Sequence, residues 1–203
     1  MIVKKPLLVL EDTGASVRRP LFRVAGVTWA ATRYAWVSPL FWGALGITVA
    51  FAGRRGESIE AALLVGCGYG LMIYGSNVIH SIGHILAGRV AGAPMGTILL
   101  TSTRDVAVYL QPGTSAPRRL RVARALGGPV ANLVCGLVSL AASGVASSGW
   151  LAAFGYFNIG VGLWTLTPVP SMDGWVIWRI LFGFERGTVL PDSASGRRAT
   201  GAR

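Results

Sequence analysis

Long apolar stretches with almost no charge dominate this chain and constrain its fold most. Four runs, at 34–52, 59–86, 126–146 and 150–167, are close to or above the roughly 20 residues that cross a hydrocarbon core. Charged residues make up only 13% of the chain, against about 25% in soluble domains. Small residues crowd the second and third runs, as in Gly66-Cys67-Gly68-Tyr69-Gly70 and Gly127-Gly128. Such residues let membrane helices approach closely. The expectation is an all-α polytopic membrane protein of about four transmembrane helices, with the lipid bilayer as its first partner.

The net charge of +11 invites a nucleic-acid reading, but the distribution of the arginines argues against one. Lys4, Lys5, Arg18, Arg19, Arg23 and Arg33 precede the first run, and Arg89, Arg104, Arg118, Arg119, Arg121 and Arg124 lie between the second and third. Arg179, Arg186, Arg197, Arg198 and Arg203 follow the fourth, whereas residues 147–149 carry no charge. The positive-inside rule then puts both termini and the central loop on the cytoplasmic side. The surplus is read as topology, with no nucleic-acid partner. The Arg- and Ala-rich, Lys-poor composition points to a GC-rich prokaryotic genome and no further, and the expected location is a prokaryotic inner, or cytoplasmic, membrane.

Residues 1–33 read as a basic segment lying along the cytoplasmic membrane surface, 34–186 as the transmembrane domain, and 187–203 as a disordered basic tail. No cleavable signal peptide is evident. Cys67 and Cys135 both fall within proposed spans, so no disulfide is expected. Asp12-Thr13-Gly14-Ala15 matches the short aspartic-protease signature, which also needs a β-rich domain and a second aspartate, so it is read as chance. Between the second and third spans, two β-branched-rich runs at 97–101 and 106–110 flank a turn and predict a small hairpin at the cytoplasmic surface. After Pro168 and Pro170, Asp173 opens a short C-terminal helix.

The only two histidines, His80 and His84, sit four residues apart in the second span. On a helix that spacing puts both imidazoles on one face, and both lie toward the cytoplasmic end. Asp173 emerges on the same side after the fourth span. Two imidazole nitrogens and one carboxylate oxygen make a tetrahedral zinc site with one position open, so the expected cofactor is zinc. The metalloprotease pattern His-Glu-x-x-His has a glutamate as general base; here Ser81 stands in that position.

His80 to His84, then Gly128-Pro129-Val130-Ala131-Asn132, then Asn158 through Pro168 to Asp173-Gly174 occur in this order. Together they resemble the core of the site-2 protease family of intramembrane zinc metalloproteases, over roughly residues 60–185. The resemblance implies that His80, His84 and Asp173 are zinc ligands, and that Asn132, Asn158 and Thr165 line a substrate or partner groove. Thr165 stands where that family usually has asparagine, and Ser171 where proline is common. No acidic residue lies within one helical turn of His80, and loss of a positioned base costs about 10²–10⁴ in rate. The expected function is a catalytically degenerate site-2-protease-like protein, acting as an assembly, stabilising or regulatory subunit that binds another membrane protein. An active protease with an unusual base, from a partner or from Asp105, is the alternative. A second alternative is a haem- or chlorophyll-type cofactor-binding subunit, with Trp164, Trp175 and Trp178 as lining.

Overall fold

The computed structural model describes residues 19–53, 58–101, 105–109, 116–170 and 172–183. The Asp12 to Ala15 match and the tail at 187–203 lie outside them. In chain order the elements are β1 (Arg19–Val24), β2 (Val27–Ala31), α1 (Val37–Gly53), α2 (Ile59–Val90), β3 (Met95–Leu100), β4 (Asp105–Tyr109), α3 (Arg118–Ala146), α4 (Gly149–Thr165) and α5 (Asp173–Leu181). The protein is mostly helical. It is not all-α, because four strands form one sheet in the order β1-β2-β3-β4.

The expected hairpin is β3 paired antiparallel with β4, from Met95↔Tyr109 to Leu100↔Asp105. The N-terminal segment departs from expectation. Instead of only lying along a surface, its second half forms β1 and β2, which pair antiparallel. Ala25 and Gly26, at φ 49° and 79°, form the two-residue link with the backbone twist a tight hairpin requires. β2 then runs parallel to β3, a pairing that needs a long crossover; α1 and α2 provide it.

The sheet docks on α2 through a small apolar core. Val27, Trp29, Met95 and Ile98 bury against Ile85 of the helix, with Val78, Leu100 and Ala107 packed around them. Val78, Ser81 and Ile85 therefore mark the sheet-facing stripe of α2, following the i, i+3, i+7 spacing of one helical face. On other faces α2 packs against α1 and α3, and α3 against α4 and α5. Gly83 and Gly127 bring the α2 and α3 backbones together: a Cβ on Gly127 would lie 2.6 Å from the Gly83 oxygen.

Among the described residues, two helices are long and apolar enough to cross a membrane, α2 with 32 residues and α3 with 29. Only 17% and 39% of their most apolar windows are buried, whereas the core helix of a soluble protein is mostly covered. α1 and α4 have 17 residues each, about 26 Å at 1.5 Å per residue. That falls short of a hydrocarbon core of about 30 Å. The third run begins earlier than expected, because the arginine-rich stretch from Arg118 is already helical.

Candidate metal centre

His80, His84 and Asp173 come together from two elements 93 residues apart in sequence. His80 Nε2 lies 3.0 Å from Asp173 Oδ2 and 3.1 Å from His84 Nε2. His84 Nε2 lies 3.4 Å from Asp173 Oδ1. Donor atoms of a tetrahedral zinc, with bonds of about 2.0–2.2 Å, stand roughly 3.3 Å or slightly more apart. The donor set and its spacing therefore suit a metal ion.

The orientation of His84 is fixed from behind. Its Nδ1 donates to the Arg124 carbonyl oxygen of α3 at 2.8 Å. A carbonyl can only accept, so a proton sits on Nδ1, and Nε2 is the atom that would ligate a metal. Pro129 lies inside α3, and proline withholds the hydrogen bond to the carbonyl four residues back. That carbonyl belongs to Ala125, next to the one His84 uses. His80 Nδ1, by contrast, is buried with no hydrogen-bond partner among the described residues.

Two glycines make the approach possible. A Cβ on Gly128 would overlap the His80 imidazole at Nε2, and a Cβ on Gly174 would overlap the Leu166 carbonyl. Gly174 thus lets the α5 N-terminus sit directly on the turn after α4. Trp178 Nε1 donates to the same Leu166 oxygen at 2.9 Å. This double hold sets the position of Asp173. Burial works to raise the Asp173 carboxyl, but the two imidazoles facing it outweigh that and hold it well below the usual carboxylate range. His80 and Asp173 keep 18% and 22% of their side-chain surface exposed, so the centre is reachable.

Asn132 is fully buried one turn after Gly128, and its Nδ2 donates to Ser76 Oγ of α2 at 3.0 Å. Ser76 is one turn before His80, so this residue of the expected groove lies beside the centre. Asn158 and Thr165 bond back onto their own helix. Asn158 Nδ2 donates to the Phe154 oxygen, and Thr165 Oγ1 to the Val161 and Gly162 oxygens. Ser81 is buried and donates to Asp105 Oδ2 at 3.4 Å. The Arg124 carbonyl had no signal in the sequence, since every residue carries one.

The fold is similar to that of the Site-2 Protease from Methanocaldococcus jannaschii, with a TM-score of 0.61 and 19% identity, over 86% of this chain and 74% of that chain. At that identity the likeness concerns the fold. No family model matches the chain, and no curated protein matches its sequence. The chain has a site-2-protease-like fold in which His80, His84 and Asp173 form a group that could hold a metal ion.

Proposed function

We propose that this chain is an integral membrane protein that holds zinc on His80, His84 and Asp173 and engages a segment of another membrane protein beside it. The observation that carries this reading is the convergence of three side chains, two from one face of the apolar helix α2 and one from α5, whose donor atoms approach to 3.0–3.4 Å. Ionisable groups placed along membrane segments are functional candidates by default. When bound, zinc would polarise a carbonyl and activate water. The residues do the rest: the Arg124 carbonyl orients His84, Gly128 gives His80 its room, and Asn132 carries a buried Oδ1 with no hydrogen-bond partner among the described residues. Four spans in a prokaryotic inner membrane, with both termini cytoplasmic, complete the proposal.

The regulatory or stabilising role rests on Ser81 and on the lack of an acid within one turn of His80. The Asp105 contact supports a second reading, in which the centre hydrolyses a peptide bond. A porphyrin-type ligand needs an imidazole nitrogen facing an open plane, whereas both Nε2 atoms face the Asp173 carboxylate. Elemental analysis of detergent-purified protein tests the metal reading. Near-stoichiometric zinc, lost in His80→Ala, is expected; native protein without metal after zinc supplementation would overturn it.

A further inference from the structure

We propose that Asp105, delivered by β4 to the sheet-facing side of α2, is the general base of this centre and stands in for the carboxylate that Ser81 lacks. The proposal rests on the metal-site reading above and on its hydrolytic second reading, in place of the regulatory one. A glutamate at position 81 would carry its carboxylate oxygens two covalent bonds beyond its γ atom. Ser81 stops at the γ position, and Asp105 Oδ2 lies 3.4 Å from that hydroxyl. The missing end of one side chain is thus met by another, arriving from the opposite direction.

The sheet fixes that arrival. Asp105 pairs with Leu100, whose carbonyl oxygen also accepts from Thr32 N at 3.0 Å. Strand alternation puts Asp105 and Ala107 on one face, and Ala107 packs against the core that joins the sheet to α2. Asp105 therefore faces the same helical stripe as Ser81, adjacent to His80. It is not one of the clustered donor atoms, and its link to the centre runs through Ser81, the neighbour of His80.

The chemical character of the site agrees. Burial pushes the Asp105 carboxyl up to about 6, with the Ser81 hydrogen bond offsetting only part of the rise. Bases that work near neutral pH have such values. At 3.4 Å the Ser81 hydroxyl makes a loose hydrogen bond, which leaves other acceptor positions of the carboxylate for water. In hydrolysis, Asp105 takes one proton from the attacking water as its oxygen bonds to the peptide carbonyl carbon. It returns that proton to the amide nitrogen as the C–N bond breaks, giving a carboxylic acid and an amine.

The test uses zinc-loaded, detergent-purified full-length protein and acetohydroxamate, whose hydroxyl occupies the place of the attacking water. Asp105→Asn is expected to keep its zinc and to bind acetohydroxamate about tenfold or more weakly. Ser81→Glu added to Asp105→Asn is expected to restore binding. Cleavage of fluorescein-labelled casein should follow the same order, with Asp105→Asn down by about 10²–10⁴. Equal hydroxamate affinity in native protein and Asp105→Asn would overturn the proposal. So would casein cleavage by Ser81→Glu but not by zinc-loaded native protein. If native protein takes up no zinc, the metal reading itself fails, an outcome distinct from both.

Discussion

At the scale of single residues, the centre depends on what α3 does not carry. Gly128 offers no side chain toward His80, so Gly128→Val would drive atoms into the imidazole. Overpacking of this kind costs about 1–3 kcal/mol; thermal unfolding in detergent should show the loss, together with reduced zinc. Asp105 makes a prediction that needs no substrate. Its carboxyl is raised from 3.8 to about 6, so the folded state holds more protons than the unfolded one across that interval. Stability then falls as pH rises from about 4 to about 6, by roughly 3 kcal/mol, and stays lowered above it. Metal-free native protein should therefore gain stability on acidification relative to Asp105→Asn, which carries the same histidines. Parallel melting curves for the two proteins over this interval would contradict the burial of an ionisable group there. The meeting of His80, His84 and Asp173 was legible in the sequence, because helical spacing puts the two histidines on one face and the order of the apolar runs brings Asp173 back to the same end. The Ser81–Asp105 contact was not, since it depends on how a sheet docks.

At the scale of elements, the β3–β4 hairpin was legible because its β-branched runs flank a turn. The β1–β2 hairpin was not. Arg19 and Arg23 interrupt β1, every residue of which is exposed, so it lacks the alternation that marks a half-buried strand. Its turn begins with Ala25 rather than asparagine, aspartate or glycine, the residues that usually announce a tight hairpin. The parallel pairing of β2 with β3 joins segments separated by both α1 and α2, and local pattern carries no trace of it. The turn yields a direct prediction. At φ 79°, Gly26→Val should cost about 1–2 kcal/mol in thermal stability; no change would show that the turn is not formed as described.

At the scale of the whole molecule, charge and apolar length act together. Among the described residues, α2 and α3 are long enough to span by themselves, while α1 packs against α2 and α4 against α3. In the proposed topology the sheet faces the cytoplasm and the short α3–α4 turn faces out. With Cys67 and Cys135 replaced by alanine, Ser148→Cys should react with an impermeant maleimide in intact cells. Thr97→Cys should react only after permeabilisation. Labelling of both from the same side would contradict the topology. The central claim, a zinc centre on His80, His84 and Asp173, is tested most directly by the zinc content of detergent-purified native protein beside Asp173→Asn. Near-stoichiometric zinc in the native protein and a clear fall in the variant are predicted; equal zinc in both, or none in either, would contradict it.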